Sequence, residues 1–440
     1  HLFPFRSLHF MKSIAIRHLC PLAGLLLIAA SLRAQTPPPE TPAVALPKIV
    51  DEITANNPEL KFYQSEIDVA KARARGSAAY NDPSVSLDLG RKRVRDVSGT
   101  LSGSGTAWSV SVTQTFEWPG RIALRKAIAN RQVELAELGL ARFQNALTGR
   151  ARVLSFTLHA ANAKASAVRE VADRFAALKE TFLARDPAGM TPLLETRVIE
   201  AGELALQRRA TQAEFDVQAA LIELNQLRGA PVDAPLTVAT PTLKLNDAPE
   251  TSALLNAARE NNFDFRMKRV ELEQQGYEVR LARNERYPAI SVSPFYSQEK
   301  AGDRESTVGI GLSVPLPLSQ RTRSAVDVAE ARRRQAEVAM LVAQRDLERE
   351  IVTSAQAFST KVAESRKWSP NSVAKFREAA ELADRHYRLG SVPVATYVEL
   401  QNSYLDAVEA LLDTQREALE AGLKLQQSTG LNFNPADFGP

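Results

Sequence analysis

The sequence is poor in the residues that build metal and thiol chemistry. Its 440 residues include one cysteine, Cys20, and five histidines. Beyond residue 34 only His159 and His386 remain, 227 positions apart. That spacing and the absence of further cysteine exclude a disulfide and any His/Cys ligand set typical of zinc. The sequence also lacks a glycine-rich phosphate loop and a nucleophile motif. We therefore predict no catalytic residue, no metal site, no cofactor and no enzymatic activity.

Long apolar runs are also missing. The longest covers residues 19–30, and twelve residues are too few to cross about 30 Å of hydrocarbon as a helix. Basic Lys12 and Arg17 precede this run, and the small-residue segment ending at Ala34 follows it. The pattern predicts a secretory signal cleaved near Ala34, with residues 1–10 lying ahead of a start at Met11. Arg17-His18-Leu19 is not the context of a lipid-modified cysteine, so we do not predict a lipoprotein.

An excess of one charge is absent once that leader is set aside. The net charge of +4 arises within residues 1–34, which contain four basic and no acidic residues. The rest of the chain has 51 basic and 51 acidic residues. This balance argues against a nucleic-acid partner.

What is present is a repeated succession of helical and strand patterns. A proline-rich tether covers 35–47 and is followed by a first repeat over 48–229. Residues 121–186 contain no proline, and their apolar side chains recur every three or four positions, which predicts a coiled-coil-like helix of about 98 Å. The predicted elements of the first repeat are a helix to about residue 80, a β-hairpin over 84–116 with a basic loop at 91–107, a long helix over 120–186, a tip at 187–192 and a helix over 193–229.

The same order returns after a connector at 230–250. Gly189 and Gly390 are 201 positions apart, as are the pairs Pro192/Pro393 and Gly229/Gly430. A constant offset over some forty residues indicates a tandem duplication. The predicted elements of the second repeat, 251–430, are a helix to about 286, a β-hairpin over 289–314, a long helix over 319–388 interrupted only by Pro370, a tip at 389–393 and a helix over 394–430, before a tail at 431–440.

These patterns predict a mainly α fold with a small β part. In each half, two shorter helices placed end to end match the length of the long helix, which favours a uniform helical rod. The four predicted strands alternate Ser or Thr with apolar residues, as a membrane barrel requires, but the smallest closed membrane barrels have about eight strands. Several subunits would have to share one barrel. The alternative for the strands alone is a small soluble sheet with one wet face.

Three segments carry a resemblance to a known family. Residues 306–316, residues 387–407 and the overall order of the two repeats resemble TolC-type outer-membrane efflux proteins. The motif Thr-Gln-Thr-Phe-Glu-Trp-Pro-Gly-Arg at 113–121 is similar to the branch that serves heavy-metal efflux systems of the resistance-nodulation-division type. The resemblance extends over residues 45–430.

The resemblance implies a fold and a function. It implies a homotrimer whose twelve strands close one transmembrane β-barrel and whose helices form a long coiled-coil-like α-helical barrel in the periplasm. The chain would be a passive exit duct in the outer membrane for metal cations or small toxic compounds. A periplasmic adaptor protein and an inner-membrane transporter of the resistance-nodulation-division type would deliver them. The alternative is a periplasmic coiled-coil scaffold that transports nothing.

The resemblance also assigns residues to the two tips. In the family, acids six and nine positions after the tip glycine help to close the periplasmic entrance; here Thr396 and Glu399 occupy those positions. Glu195 corresponds to the earlier acid in the first repeat, and in the family it would bond to the tyrosine that matches Tyr387. The alternative is that these acids only favour helix starts through the helix dipole. The residues expected to contact the adaptor are Gly189, Met190, Thr191, Arg388, Leu389, Gly390, Ser391 and Val392.

The basic segment at 91–95 allows two interpretations. It would lie at the outer rim of the barrel, where its side chains could contact lipid A phosphates, so outer-membrane lipid is a predicted partner. A solvated loop is the alternative.

Overall fold

The computed structural model describes residues 43–185, 193–316, 320–368, 371–431 and 433–439. The predicted signal segment, its cleavage site near Ala34, most of the tether and the first tip at 187–192 lie outside these residues. Within the tether, helix formation begins earlier than expected, because α1 starts at Leu46.

The first half contains helices, a hairpin and one very long helix. The elements are α1 (Leu46–Asn56), α2 (Glu59–Ser77), β1 (Ser84–Arg95), β2 (Leu101–Phe116), α3 (Arg121–Arg185) and α4 (Leu193–Arg228). Helix α3 has 65 residues. Helices α2 and α4 both pack along it, and most buried residues of the main core lie on α3 and α9.

The second half follows the same order with two additional short strands. The elements are β3 (Thr242–Leu245), α5 (Thr251–Asn261), α6 (Phe263–Asn284), β4 (Ile290–Lys300), β5 (Arg304–Ser313), α7 (Arg321–Lys367), α8 (Ser372–Arg388), α9 (Val394–Thr429) and β6 (Ala436–Gly439). Helices α4 and α9 each contain 36 residues and begin 201 positions apart. Helices α6 and α9 also contact α3, so α3 joins the two halves.

The helix predicted over 319–388, with Pro370 as its one interruption, is divided into two helices in the structure. Helix α7 ends at Lys367, Trp368 is extended with φ −73° and ψ 112°, and α8 begins at Ser372. Pro370 lies in this break. A proline lacks the N–H that an interior helical position needs, and it disfavours helical geometry in the residue before it.

The other predicted helices are also divided. The helix expected over 48–80 is broken between α1 and α2, and the helix expected over 251–286 is broken between α5 and α6. Buried Asn57 and Asn262 occupy the two breaks. Each accepts from the backbone of the following helix, at Glu59 N (2.9 Å) and Phe265 N (2.8 Å). Each also donates to the last turn of a long partner helix, at Leu227 O (2.9 Å) and Ser428 O (2.7 Å).

The connector and the tail are more regular than predicted. Strand β3 lies within 230–250 and pairs antiparallel with β6 in the tail, with Thr242 opposite Gly439 and Leu245 opposite Ala436. The short sheet packs on the main core through Leu243, Leu245 and Phe438. Periodicity does not reveal this pair, since each strand has four residues and the two are almost 200 positions apart.

Both hairpins belong to one antiparallel sheet in the order β1-β2-β4-β5. The loop predicted at 91–107 was wrong, because β1 continues to Arg95 and β2 begins at Leu101. Cross-strand pairing from Arg91–Thr106 to Val94–Gly103 incorporates the basic and glycine-rich residues into the sheet. Tertiary pairing overrides their weak intrinsic preference for strands.

Candidate functional site

The second tip is a tight left-handed turn between α8 and α9. Gly390 has φ 73°. Its N–H donates to Tyr387 O and the N–H of Ser391 donates to His386 O, both at 2.9 Å. This hydrogen-bond pair is the Schellman motif, which ends a helix and favours glycine at the left-handed position. Pro393 then precedes α9 in extended geometry, so the chain reverses within a few residues.

Stacked aromatic rings fix the angle between the two helices behind that turn. The rings of Tyr387 in α8 and Tyr397 in α9 are 5.1 Å apart between centroids, with planes 17° apart. Phe175 of α3 contacts Tyr397 with centroids 5.2 Å apart. Tyr397 is completely buried and Tyr387 nearly so. The turn is therefore anchored to α3 by a continuous aromatic cluster, which we call the tip cluster (Phe175, Tyr387, Tyr397).

Burial and nearby acids keep both tyrosines protonated. Burial, and after it the negative charge of Glu195, raises the pKa of Tyr387 to about 12. The pKa of Tyr397 is also raised, first by burial and then by the charge of Asp384. Glu195 of α4 and Tyr387 of α8 are thus near enough to interact electrostatically. The predicted bond between them remains a prediction.

A polar network adjoins the tip cluster and joins α3, α8 and α9. The Arg174 guanidinium, largely buried, donates to Glu170 Oε1 at 2.6 Å and to Gln401 Oε1 at 3.1 Å. Gln401 is completely buried and donates its Nε2 to Ala380 O at 2.8 Å. Glu170 also accepts from Arg377 at 3.1 Å and from the Tyr404 hydroxyl at 3.3 Å. Because its members come from three different helices, the network specifies how those helices align.

The predicted gate residues on α9 do not belong to this network. Thr396 and Glu399 are both exposed, and a spacing of three places them on one face of the helix. Of the predicted adaptor contacts, Leu389, Gly390 and Ser391 are exposed, whereas Arg388 binds Asp384 at 2.9 Å. Gly189, Met190 and Thr191 lie outside the described residues. The gate and adaptor assignments remain predictions.

Sequence reasoning missed Glu170, Arg174 and Gln401. Within the 65 residues of α3, Glu170 and Arg174 look like an ordinary i, i+4 ion pair on a solvated face. Gln401 follows an exposed acid by two residues and gives no sign of complete burial. The only signal in the sequence is spacing: Tyr397, Gln401 and Tyr404 lie four and then three positions apart, which places them on one face of α9. That spacing could have identified Gln401 as buried.

The four-stranded sheet is a second candidate surface, and its two faces differ in polarity. On one face Thr113 and Ser293 hydroxyls lie 2.8 Å apart, and those of Thr115 and Ser291 lie 2.9 Å apart. The opposite face is apolar and open, with the edge-strand residues strongly exposed in the single chain. They are Val85, Leu87 and Leu89 of β1 and Val308, Ile310 and Leu312 of β5. Both edge strands lack a partner on their outer side within the described sheet.

The motif that suggested a heavy-metal branch has structural contacts at the start of α3. The Glu117 carboxylate binds Arg125 at 2.5 Å. The Trp118 ring stacks on Tyr287, with centroids 4.8 Å apart. Arg121 donates to Tyr287 O at 2.7 Å and to Asn284 Oδ1 at 3.2 Å. These contacts join the β2-to-α3 junction to the α6-to-β4 junction.

Two features are absent from the residues that the structure describes. In that part of the chain, no helix combines the length and hydrophobicity needed to span a bilayer. Within the same ranges, His, Cys, Asp and Glu side chains do not gather in threes around a possible metal position.

A known protein family matches one part of this chain. Residues 254–431 match the family model described as "Outer membrane efflux protein". The segment runs from α5 to the residue after Gly430, nearly the whole second repeat. No curated protein matches the sequence.

Solved structures match over almost the whole chain. The CmeC outer membrane channel of Campylobacter jejuni is 16% identical with a TM-score of 0.73, covering 88% of this chain and 85% of that chain. The open state of the MtrE outer membrane channel of Neisseria gonorrhoeae is 17% identical with a TM-score of 0.68 and 88% coverage of both chains. The VceC outer membrane protein of Vibrio cholerae is 17% identical with a TM-score of 0.65, covering 88% of this chain and 96% of that chain. The single chain therefore shares the fold of these solved chains, which confirms the predicted mainly α fold with a small β part.

Proposed function

We propose that this protein is the outer-membrane channel of a tripartite efflux system, a passive exit duct supplied by an inner-membrane pump and a periplasmic adaptor. The observation that carries the proposal is the sheet: one face is apolar and exposed, the other is polar, and both edges are unpaired in the described chain. The match of the second repeat to the efflux family supports it. Energy would come from the pump.

Three copies would complete the structure. Four strands per chain leave β1 and β5 as open edges, and pairing β5 of one copy with β1 of the next would remove both. Twelve strands are enough for a closed membrane barrel. The apolar face would then contact outer-membrane lipid and the Ser/Thr face would line the duct, while the long helices extend into the periplasm. The proposal includes export with cleavage near Ala34.

The tips would form the closed end of the duct. We assign the gate to Glu195, Tyr387, Thr396 and Glu399. The charge of Glu195 raises the pKa of Tyr387, which requires α4 and α8 to lie close together beside the turn. This proximity supports the assignment. The adaptor would dock on the exposed turn at 389–391 and on the corresponding first tip, Gly189 to Thr191. Thr396, which replaces an acid, would make this gate less charged.

The cargo is the least constrained part of the proposal. Metal cations remain the first candidate because of the motif at 113–121, and small toxic compounds are the second. Deleting the gene from its host and measuring survival on copper, zinc, cobalt and lipophilic cations would distinguish them. Sensitivity to the metals alone supports the first candidate, and sensitivity to the organic cations alone supports the second.

Fractionation of cells that express the full chain tests the proposal itself. We expect the protein in the outer membrane, extractable only with detergent and migrating as a heat-dissociable trimer. Recovery as a detergent-free periplasmic protein would support the scaffold alternative and reject the channel.

A further inference from the structure

The basic side chains of β1 are divided between the two faces of the sheet. Pairing is regular from Arg91–Thr106 through Lys92–Gly105 to Arg93–Ser104, and the irregularity comes only after Val94. Since successive side chains of a strand point to opposite faces, Arg91 and Arg93 share the apolar face of Leu89. Lys92 lies on the opposite, polar face.

Lys92 is neutralised on its own face. Its Nζ is 2.5 Å from Glu299 Oε2 of β4 and 3.0 Å from Glu305 Oε2 of β5. Glu299 and Glu305 are direct cross-strand partners and so share this face. The carboxylates of Glu299 and Glu305 are therefore committed to Lys92.

The two arginines have no such neutralisation. Both are exposed, and neither forms an ion pair with a carboxylate that the structure describes. Arg91 donates from Nη2 to the Ser104 hydroxyl at 3.4 Å, a weak neutral contact. Two positive charges therefore remain available on the apolar side of the sheet.

Aromatic residues indicate where a bilayer interface would fall on that face. Trp108, the cross-strand partner of Leu89, lies 5.4 Å from the Tyr296 ring between centroids. Trp and Tyr at this position form the aromatic girdle typical of membrane barrels. Arg91 follows Leu89 by two residues, about 6.7 Å along the strand. The arginines thus lie just beyond the girdle, at the depth of lipid headgroups.

We propose that Arg91 and Arg93 bind the phosphate groups of membrane lipids whose acyl chains cover Val85, Leu87 and Leu89. The proposal rests on the proposed function, which makes this face the lipid face. Arginine suits the role because its guanidinium donates two parallel hydrogen bonds to a phosphate. Lys92 takes no part, although it lies between the two arginines in the sequence.

Binding of phosphatidic acid to the purified full-chain assembly tests the proposal. The protein in a neutral maltoside detergent is titrated with phosphatidic acid, and diacylglycerol serves as the phosphate-free probe. The variants are R91Q/R93Q, R91K/R93K and K92Q. One cation at a membrane surface is worth about a fivefold change in affinity, so R91Q/R93Q should weaken phosphatidic acid binding by about 25-fold. K92Q should bind as the wild type does, and R91K/R93K should lie between.

Several results would overturn the proposal. They are unchanged phosphatidic acid affinity in R91Q/R93Q, an equal loss in K92Q, equal binding of diacylglycerol, or displacement by inorganic phosphate at the same phosphate concentration. The last result would indicate a free-anion site. Bilayer conductance of the same preparations separates failure of the lipid proposal from failure of the proposed function. If R91Q/R93Q conducts and binds phosphatidic acid as the wild type does, only the lipid contact is rejected.

A separate observation concerns the turn between β4 and β5. A Cβ atom on Gly103 would lie 2.0 Å from Ala301 O, and one on Gly105 would lie 1.5 Å from Lys300 O. Gly103 and Gly105 face the polar side through their pairing with Val94 and Lys92. The turn therefore crosses directly over the polar face of β2, which only glycine permits.

We infer that this crossing narrows the outer end of the duct and that Lys92 latches it through Glu299 and Glu305. In the Glu195→Ala background, where the account predicts open tips, weakening the latch with K92Q should raise single-channel conductance, and G105A, which displaces the turn, should raise it further. G139A, in α3 with open space around a Cβ, is the matched control. Unchanged conductance in both K92Q and G105A would reject the latch proposal without affecting the proposed channel function. Absence of conductance in the wild type would instead reject the proposed function.

Discussion

Tyr387 at the end of α8 stacks on Tyr397 at the start of α9, with ring centroids 5.1 Å apart. The two positions are ten apart in the chain, and the Gly390 turn lies between them. The stack joins both arms of the tip, and Phe175 connects it to α3. The tip is therefore a packed unit whose position is determined by α3, the helix that joins the two halves.

Truncating Tyr397 should loosen this unit, whereas removing only its hydroxyl should not. The ring is completely buried, and Tyr397→Ala should cost about 3–5 kcal/mol locally. The hydroxyl has no hydrogen-bond partner among the described residues, so Tyr397→Phe should be neutral or slightly stabilising. Hydrogen exchange of α8 and α9 measures both. Equal exchange in the two variants would contradict the packing argument.

Alkaline pH should release the tip between pH 10 and about pH 12. The folded-state pKa of Tyr387 is raised from 10.0 to about 12, so the protonated form is favoured by folding. This contribution to stability is fully present below pH 10 and is lost as pH rises toward 12. Tyrosinate absorbance, with Tyr387→Phe subtracted, follows the group. Glu195→Gln should lower this pKa while leaving it above 10, because burial is the larger cause. An unchanged pKa in Glu195→Gln would place the carboxylate too far away to matter.

Two glycine-to-alanine changes should have opposite effects on stability. At Gly390 an added Cβ has open space, but φ is 73°, so Gly390→Ala should cost about 1–2 kcal/mol through the left-handed backbone. Gly276 lies inside α6 with equally open space and helical geometry, so Gly276→Ala should gain about 0.5–1 kcal/mol. Thermal unfolding in detergent gives both values. The same sign for the two changes would contradict the backbone explanation.

Removing the buried Asn262 should destabilise the junction of α5, α6 and α9. Its amide bonds both Ser428 O and Phe265 N. Asn262→Ala leaves a buried carbonyl and a helix start unpaired, which should cost about 1–3 kcal/mol. Asn57→Ala should have a similar cost in the first half. Exposed Asn402 is the matched control, with an expected change within about 0.5 kcal/mol. An equal loss of stability in Asn402→Ala and Asn262→Ala would contradict the explanation based on burial of Asn262.

Sequence periodicity was sufficient for the elements with long regular patterns. Helix α3 and the alternating cores of the strands follow directly from apolar spacing, and the 201-residue offset recurs in the starts of α4 and α9. Prediction of secondary structure from local composition failed where contacts with distant backbone determine the conformation. Gly103 and Gly105 suggest a loop by composition, yet they are strand residues over which the β4–β5 turn passes.

The candidate site was less predictable than the fold. The turn at Gly390 was evident, since glycine and proline mark the reversal. The roles of Gln401 and Arg174 depend on which helix faces each side chain, and a single sequence does not contain that information. The breaks at Asn57 and Asn262 were missed for the same reason, because an asparagine cap is recognisable only when its partner carbonyl is known.

Single-channel conductance of the full chain in planar bilayers tests the central claim most directly. The account predicts stable pores of low conductance for the wild type, because the tips are closed, and a higher conductance for Glu195→Ala and Glu399→Ala. No rise in either variant would reject the gate assignment. A wild-type protein that forms no pore at all would contradict the account of this chain as an exit duct.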